Sequence, residues 1–545
     1  MIQLPQDFRI RMQDMLGEAY PAFLRSYDEE KYQALRVNTL KGTVEEFLEK
    51  APFAGLTPVS WEKNGLYYAH GRIGKLVADA TCARRASRES LPYSIAHGCI
   101  GELESPGRHP FHEAGVYYIQ EPSAMVPAGY LEAKPGERVL DLCAAPGGKT
   151  TQIAAYMQNE GILVCNEIHS ARAKILSENV ERMGIRNALV TNEAPQRLSE
   201  VFAGYFDRIL VDAPCSGEGM FRKNEEACVE WSLENVRLCA DRQDEILDCA
   251  DGMLRPGGRL VYSTCTFAPA ENEGSIARFL ERHPDYQVVA VRKYEGMSDG
   301  VPEWAHYSEK SQEGNAMPAV STLQYDNDRY GGSTVPVCEN AQGSSDLANM
   351  EDRCVSDGVS TLRHTIRLYP HLAHGEGHYL AVLQKQGEVP DGYRAFPANG
   401  LQKGIRAKEI KEFLQFQQET LQIDLTAGAE GRLLKFGEQL YLMPEDMPSV
   451  KGLKVLRAGL HLGTMKKNRF EPSHALALAL RKEAVKRSME LGSEENARAY
   501  LGGMTLNHDG EKGWYLMTYQ GYSIGWGKLA GQVMKNHYPR GLRKN

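Results

Sequence analysis

Long apolar runs are missing from this sequence of 545 residues. A membrane-spanning helix needs about eighteen consecutive apolar residues, and no such stretch is present, so we expect no membrane partner. Residues 1–11 also lack the apolar core of a secretory signal, and we therefore expect a cytoplasmic protein. The length leaves room for about two to four domains of ordinary size.

Cysteines at metal-ligand spacing are missing as well. The chain has 11 cysteines, none of them in a CxxC or CxxH arrangement, and an odd number does not suit a fully paired disulfide framework. We therefore expect neither a disulfide scaffold nor a bound metal. Individual cysteines remain free to act as nucleophiles or, more often, to pack in the core.

Two common glycine patterns are incomplete in the stretch RVLDLCAAPGGKT, residues 138–150. A Walker loop ends in Gly-Lys-Thr or Gly-Lys-Ser, and Gly148-Lys149-Thr150 match that ending. The Walker pattern also requires a glycine five positions before Gly148, where this chain has Cys143. The three spaced glycines of a dinucleotide-binding loop are absent too. The stretch is therefore neither a Walker loop nor a dinucleotide-binding loop.

What the stretch does contain is a strand-like run, a tight turn of small residues and a helix that begins near Lys149. Small side chains let a ligand approach backbone N–H groups, and a helix N-terminus favours a negative group. The next predicted strand ends in Glu167, whose carboxylate could hold ribose hydroxyls. S-adenosylmethionine fits this pattern, and an ordinary tight turn is the alternative.

The net charge of −8 is unevenly distributed. Residues 451–545 contain 17 Lys and Arg against 7 Asp and Glu, a net charge of +10, so residues 1–450 carry −18. An acidic body with a basic end indicates a polyanionic partner such as nucleic acid. A solvated charged surface is the alternative.

Strand and helix patterns alternate after about residue 111, which predicts a parallel, doubly wound α/β sheet. The predicted strands are 138–143, 161–167, 187–192, 206–212 and 258–264, with helices that include 170–183 and 235–254. Strands at 286–292 and 377–384 are expected to complete this sheet. We also predict a long helix at 472–490.

Three regions follow from these patterns. Residues 1–110 are expected to form an N-terminal RNA-binding extension, mostly helical over residues 1 to about 70 and with an inserted loop near 71–106, and residues 111–386 form the α/β domain. Residues 391–545 form a separate C-terminal region that could hold two small subdomains. The segment 307–362 is rich in Gly, Ser, Asn and Asp, so it buries too little apolar surface to offset its ordering entropy, and we expect a disordered insertion.

Two cysteines follow neighbouring strands of the predicted sheet. Cys215 comes after Asp212-Ala-Pro, and Cys265 comes after Ser263-Thr264. The carboxyl ends of parallel strands share the edge at which such sheets bind ligands, so we expect both thiols there. One cysteine after a strand is usually a packing residue, whereas two at adjacent strand ends favour a chemical role.

Two thiols beside a methyl donor suggest methylation of carbon-5 of cytosine. This carbon becomes nucleophilic only after a thiolate adds at carbon-6, and a second group must then remove the carbon-5 proton so that the first thiol can leave. A free thiol with a pKa of about 8.5 is mostly protonated at pH 7, so the attacking cysteine needs a polar or electropositive setting. A cytosine base inside a base-paired stem must also be unstacked before a thiol can reach it.

Three motifs in order along the chain resemble those of the Nop/Sun-type RNA cytosine-5 methyltransferases. They are DLCAAPGGKT at 141–150, DAPCSGEGMFRK at 212–223 and STCTFAPAENE at 263–273, and they are preceded by RVNTLK at 36–41 and YYIQEPSA at 117–124. The C-terminal region resembles the RNA-binding, PUA-like extension of bacterial RsmF-type 16S rRNA enzymes. The resemblance implies a Rossmann-like methyltransferase core, an N-terminal helical extension and a C-terminal mixed α+β module that binds RNA.

The resemblance also implies a role for each candidate residue. Cys265 would be the nucleophile, Cys215 would serve proton removal and product release, and Asp212 would contact both the cofactor and the cytosine edge. The family usually has an aspartate after the third strand, where this chain has Asn192 and Glu193, and either could replace it beside the adenine. The implied cofactor-binding residues are Cys143, Ala144, Ala145, Pro146, Gly147, Gly148, Lys149, Glu167, Asn192 and Asp212.

We therefore predict an S-adenosylmethionine-dependent enzyme that methylates carbon-5 of cytosine in RNA. The expected substrate is small-subunit ribosomal RNA or the assembling 30S subunit, and the expected state is a monomer. Transfer RNA is the alternative substrate, because the flanking modules rather than the shared core select the RNA. A non-catalytic RNA-binding assembly factor is an alternative of another class, against which the intact Cys215, Cys265 and Asp212 argue.

Overall fold

The computed structural model describes residues 2–69, 105–307, 359–389, 397–429 and 431–543. The loop predicted near 71–106 and the disordered insertion predicted at 307–362 lie outside these residues except at their ends. The chain forms two compact units. Unit 1 comprises residues 1–30, 214–248 and 264–386, and unit 2 comprises residues 31–213, 249–263 and 387–545.

Strands and helices alternate along much of the chain. The strands are β1 (Ala34–Val37), β2 (Thr57–Val59), β3 (Glu62–Tyr67), β4 (Tyr117–Gln120), β5 (Arg138–Asp141), β6 (Ile162–Asn166), β7 (Ala188–Thr191), β8 (Phe206–Asp212), β9 (Leu254–Thr264), β10 (Tyr286–Val288), β11 (Met297–Asp299), β12 (Ile366–Leu368), β13 (His378–Lys385), β14 (Leu433–Phe436), β15 (Gln439–Leu442), β16 (Val455–Ala458), β17 (Leu460–Lys466), β18 (Arg469–Pro472), β19 (Ser488–Glu490), β20 (Leu506–Asn507), β21 (Gly513–Tyr519), β22 (Tyr522–Ala530) and β23 (Val533–Asn536). The α-helices are α1 (Gln6–Leu16), α2 (Tyr20–Arg25), α3 (Val44–Lys50), α4 (Pro110–Glu113), α5 (Val126–Leu131), α6 (Gly148–Met157), α7 (Ser170–Arg182), α8 (Pro195–Val201), α9 (Glu225–Glu230), α10 (Leu233–Met253), α11 (Glu273–Arg282), α12 (Lys411–Thr420), α13 (His474–Ala479) and α14 (Glu494–Leu501).

The central sheet of unit 2 has the strand order β9-β8-β5-β6-β7, and each of these neighbouring pairs is parallel. Every residue of β6 is buried, as expected for a strand covered by helices on both faces. The five predicted strands and the parallel, doubly wound arrangement are confirmed. Consequently, the residues that follow β5, β6, β7 and β8 all leave the sheet at one edge.

A strand from the C-terminal region extends this sheet. Strand β16 pairs antiparallel with β7, and Asn192 donates its backbone N–H to the carbonyl of Lys454 at 2.9 Å. The sequence gives no sign of this pairing, because an edge strand accepts any short extended segment with suitable backbone geometry. Part of the region that we expected to be a separate module therefore belongs to the same sheet as β5, which leads into the expected cofactor loop, residues 142–147.

The flanking parts of unit 2 differ from two expectations. Strands β1 to β4 form a sheet in the order β2-β3-β1-β4, so the expectation of a mostly helical segment is wrong for the second half of residues 1–70. The long helix predicted at 472–490 is broken, because α13 ends at Ala479 and β19 pairs in parallel with β21. In both places strand pairing overrides a weak local preference for helix.

The C-terminal part of unit 2 contains two further sheets. Their strand orders are β14-β15-β17-β18 and β19-β21-β22-β23-β20. Phe413, Leu476, Trp514 and Trp526 belong to one core that draws on both sheets and on helices α12 and α13. These two sheets are therefore packed together within the unit.

Unit 1 has an aromatic core and a small antiparallel sheet. Phe8 and Phe23 of the N-terminal helices pack with Phe221, Trp231 and Phe267. Strand β13 pairs antiparallel with β10 and with β12. The strands predicted at 286–292 and 377–384 are present as β10 and β13, and they pair antiparallel with each other, a direction that an apolar pattern does not specify.

Membrane-spanning helices and metal clusters are both absent from the described residues. No helix there is both long enough and apolar enough to cross a bilayer. The same residues contain no group of three or more His, Cys, Asp or Glu side chains that could hold a metal ion.

Candidate active site

Side chains from other segments hold the loop between β5 and α6. Arg172 donates to the carbonyl of Ala145 at 2.7 Å, and Asn179 donates to the carbonyl of Pro146 at 2.8 Å. Arg36, which is fully buried, donates to the carbonyl of Gly148 at 3.0 Å. These contacts orient three backbone carbonyls of the loop.

Gly147 permits the tight turn that starts helix α6. Its φ of +114° lies in the region that favours glycine. A Cβ atom at this position would also lie 3.2 Å from Cδ1 of Leu176. The turn therefore places the N-terminus of α6 directly after the small residues 144–147, as the sequence predicts.

Asp141, the last residue of β5, uses only one of its carboxylate oxygens within the described part of the chain. Thr150 donates to its Oδ2 at 2.6 Å, whereas its Oδ1 has no hydrogen-bond partner among the described residues. Burial raises the pKa of Asp141 to about 7, and the negative charge of Asp212 acts in the same direction. This residue is not among the cofactor-binding residues expected from sequence. In the sequence, the only feature that points to Asp141 as a binding residue is its position immediately before the loop that follows β5.

Glu167 follows the end of β6, and only 3% of its surface is exposed. Its Oε1 accepts the backbone N–H of His169 at 2.9 Å, and its Oε2 lies 3.5 Å from Nη1 of Arg172. The carboxylate is therefore held in one orientation at the edge of the sheet.

The structure distinguishes the two residues that could replace the expected aspartate after β7. Asn192 donates to the carbonyls of Glu167 and Ile168 at 2.7 and 2.8 Å. Oε1 of Glu193 instead accepts the backbone N–H of Lys454 at 2.6 Å, in the segment that leads into β16. Of these two side chains, that of Asn192 is therefore the one that forms hydrogen bonds with the backbone at Glu167 and Ile168.

Asp212, at the end of β8, is bound to two side chains. Lys149 Nζ lies 2.8 Å from its Oδ2, and Ser263 Oγ donates to its Oδ1 at 2.7 Å. Its side chain is 30% exposed. The residue therefore connects the cofactor loop with the end of β9.

The two candidate thiols lie side by side in unit 1. Sγ of Cys215 is 3.3 Å from Sγ of Cys265, and the backbone N–H of Cys265 donates to Sγ of Cys215 at 3.3 Å. The hydrogen bond with Cys265, burial and the negative charge of Glu271 raise the pKa of Cys215 well above its ordinary value. These surroundings favour the thiol form of Cys215, and either sulfur can donate the hydrogen bond between the two.

A buried carboxyl group supports the Cys215 turn. Glu271 accepts the backbone N–H of Ser216 at 2.9 Å and the side-chain amide of Gln243 at 2.9 Å. Its other oxygen accepts the hydroxyl of Ser216, which also lies 2.9 Å from the hydroxyl of Thr266. Burial raises the pKa of Glu271 to about 8, although the hydrogen bonds from Ser216 and Gln243 oppose this shift. Glu271 lies within the third sequence motif, but no role was expected for it.

Four family models match this chain. They are described as the N-terminal domain of 16S rRNA methyltransferase RsmF (residues 4–78), 16S rRNA methyltransferase RsmB/F (128–319), the RsmF rRNA methyltransferase first C-terminal domain (415–480) and the methyltransferase RsmF PUA domain (486–544). The second of these matches contains all three motifs identified in the sequence.

Curated relatives match over nearly the whole chain. The ribosomal RNA small subunit methyltransferase F of Aeromonas salmonicida is 30% identical over 521 residues, which cover 94% of this chain and 90% of that protein. The enzyme of the same name from Erwinia tasmaniensis is 29% identical over 550 residues, which cover 99% and 96%. The crystal structure of a methyltransferase homolog protein from Pyrococcus horikoshii has 24% identity and a TM-score of 0.47, over 69% of this chain and 93% of that chain.

Proposed function

Since this chain belongs to the RsmB/F family of 16S rRNA methyltransferases, we propose that it methylates carbon-5 of a cytosine in 16S ribosomal RNA. It acts as a monomer in the cytoplasm, on the RNA or on the assembling 30S subunit. The family membership confirms the methyltransferase fold, the enzyme class and the S-adenosylmethionine cofactor expected from the motifs.

The observation that carries this proposal is the contact between the free thiols of Cys215 and Cys265, whose sulfur atoms are 3.3 Å apart. Two adjacent thiols are what an addition–elimination mechanism on a pyrimidine requires, because one sulfur adds to the ring and a second group must help to expel it. A packing explanation does not account for the buried polar network that orients Cys215 through Ser216.

The residues around the cofactor loop fit S-adenosylmethionine, which supplies a methyl group on a positively charged sulfur when bound. The Oδ1 atom of Asp141, which no described residue contacts by a hydrogen bond, suits the ammonium group of the methionine part. We assign the backbone N–H groups of the loop from Cys143 to Lys149 to the carboxylate, Glu167 to the ribose and Asn192 to the adenine ring. We also assign Asp212 to this set and to contact with the cytosine edge.

Cys265 adds as a thiolate to carbon-6 of the cytosine, which forms a C–S bond and makes carbon-5 nucleophilic. After carbon-5 carries the methyl group, Cys215 releases its own proton to solvent and, as a thiolate, accepts the proton from that carbon. The electron pair of the broken C–H bond restores the ring double bond, the C–S bond breaks and Cys265 leaves as a thiolate. The raised pKa of Cys215 makes this sulfur, once ionised, a stronger base than an ordinary thiolate.

We assign substrate binding to the regions that flank the methyltransferase domain. Residues 1–110 and 391–545 contribute RNA contacts, and residues 111–386 carry the chemistry. The net charge of +10 in residues 451–545 and the PUA model over 486–544 support this division.

Methyl transfer to defined RNAs tests the proposed function. The purified chain with isotope-labelled S-adenosylmethionine should label 16S ribosomal RNA, and nucleoside mass spectrometry should identify the product as 5-methylcytidine. Preferential labelling of transfer RNA would replace the substrate assignment. Tight RNA binding without any methylated nucleoside, on free RNA and on 30S subunits, would support a non-catalytic assembly factor instead.

A further inference from the structure

A groove lined by basic side chains lies far from the cofactor loop within unit 2. One cavity of about 290 Å³ is lined by Lys41, Arg186 and Arg481. A second cavity of about 730 Å³ is lined by Lys63 and Tyr156. Leu40, Asn159 and Arg186 line both, so the cavities are adjacent. We call this feature the basic groove.

The basic groove lies at the opposite end of helix α6 from the cofactor loop. Gly148 begins this helix, and Asn159 lies just beyond its last residue, Met157. At 1.5 Å per residue, the helix separates the two sites by about 15 Å. The basic groove is therefore not part of the cofactor site.

Three cations are brought together in the smaller cavity by contacts with the chain itself. Lys41 donates to the carbonyl of Leu478, Arg186 donates to the carbonyl of Ala479, and Arg481 donates to the carbonyl of Leu40 at 3.5 Å. A Cβ atom on Gly184 would lie 3.2 Å from Nζ of Lys41, so glycine provides the room for this side chain. The cluster thus joins segments from the N-terminal, central and C-terminal parts of unit 2.

The described residues around this cluster do little to neutralise its positive charge. Burial, together with the positive charges of Arg186 and Arg481, lowers the pKa of Lys41 to about 7. Among the described residues, the carboxylates that line the two cavities are Glu483 and Glu132, and Glu132 lies 2.7 Å from Arg259. A bound anion would offset the repulsion among the three cations.

The larger cavity adds features suited to a nucleic-acid strand. Nζ of Lys63 lies 5.8 Å from the ring centroid of Tyr156, so a cation and an aromatic ring adjoin each other. Asn64, Gln158 and Asn159 supply amide groups along the same cavity. Proteins that bind single strands combine a positively charged groove with aromatic side chains in this way.

We propose that the basic groove binds the phosphate backbone of the RNA substrate at a distance from the target cytosine. This inference rests on the proposed function, because the phosphate groups belong to the RNA that the enzyme methylates. Arg186 and Arg481, whose side chains are exposed, contact phosphates, and Lys41 lies at the base of the cluster. RNA bound there spans more than the active site, which adds affinity without base recognition.

Salt-dependent binding of an oligouridylate of about 20 nucleotides tests the basic groove, because such binding is sequence-independent. The variant R186Q/R481Q should bind about tenfold more weakly at low salt, and its log–log salt slope should be smaller by about 1.4, or 0.7 for each lost phosphate contact. The variant R186K/R481K keeps both charges and should retain most of the affinity. A matched control, K435Q/K467Q, removes two exposed charges elsewhere in unit 2 and should retain the wild-type slope.

Unchanged affinity and slope in R186Q/R481Q, or an equal loss in the control, would overturn the basic groove as an RNA site. The same proteins, assayed for methyl transfer to 16S ribosomal RNA, separate this failure from a failure of the proposed function. If the wild type is active and R186Q/R481Q binds RNA as the wild type does, only the RNA-binding role of the basic groove is contradicted. A wild type that forms no 5-methylcytidine contradicts the proposed function itself.

Discussion

The cofactor loop and the thiol pair are built in different ways. Residues of the loop itself, above all Gly147, determine its shape, and the contacts that hold it are mostly to backbone carbonyls. The thiols of Cys215 and Cys265 instead depend on a buried carboxyl group, Glu271, and on Gln243 from another helix. A ligand loop can therefore be recognised from a short motif, whereas Cys215 is supported by Glu271, which lies in the third motif without an expected role, and by Gln243, which lies outside all three motifs.

We expect the largest loss of activity from a substitution in the thiol pair of Cys215 and Cys265. The variant C265A should lose methyl transfer by about 10⁴-fold or more, because removing a covalent nucleophile leaves only binding and positioning. Labelled methyl transfer to 16S ribosomal RNA measures this loss. C228A removes another buried thiol of unit 1 and should retain most of the activity. Equal activity losses in the two variants would mean that the sulfurs matter only for packing.

On the cofactor side, E167A should weaken S-adenosylmethionine binding by roughly 1.5–3 kcal/mol, or about ten- to a hundredfold, because hydrogen bonds to a charged group have this strength. Calorimetric titration of the folded variant measures the change. E178A removes an exposed carboxylate from helix α7 and should bind the cofactor as the wild type does. Unchanged affinity in E167A would move the ribose site elsewhere.

The smallest effect, counted per pH unit, concerns the pH dependence of stability. Folding raises the pKa of Glu271 to about 8, so the folded state binds more protons than the unfolded state between about pH 4.5 and 8. The free energy of unfolding should therefore fall as pH rises through this range, by at most about 1.4 kcal/mol per pH unit from this group. Urea unfolding of E271Q should show a flatter dependence than the wild type from pH 5 to 8. Identical slopes would mean that Glu271 is already ionised at low pH.

The elements that could be predicted from sequence are those with a local physical cause. Buried β5, the small residues after it and the helix that begins at Gly148 each follow from residue types in one short stretch. The positions of Cys215 and Cys265 followed from the order of parallel strands. The family matches bear out the fold and enzyme class that these features indicated.

The features that could not be predicted depend on contacts between distant segments. Asp141 is an ordinary strand-end carboxylate until the structure shows that one of its oxygens lacks a partner among the described residues. The pairing of β16 with β7, the break after α13 and the antiparallel direction of β13 are likewise consequences of tertiary pairing. A pattern of apolar residues specifies where a strand lies but not which strand it joins.

The most direct test of the two-thiol mechanism is to trap the RNA adduct and map its attachment site. The variant C215A, incubated with S-adenosylmethionine and 16S ribosomal RNA, should accumulate a covalent protein–RNA species that survives denaturing electrophoresis, because the attached sulfur is no longer expelled efficiently. Peptide mass spectrometry should place the attachment on Cys265, and C265A should form no adduct. An adduct formed by C265A and missing from C215A would reverse the roles of the two sulfurs, and turnover without an adduct in either variant would contradict the covalent mechanism.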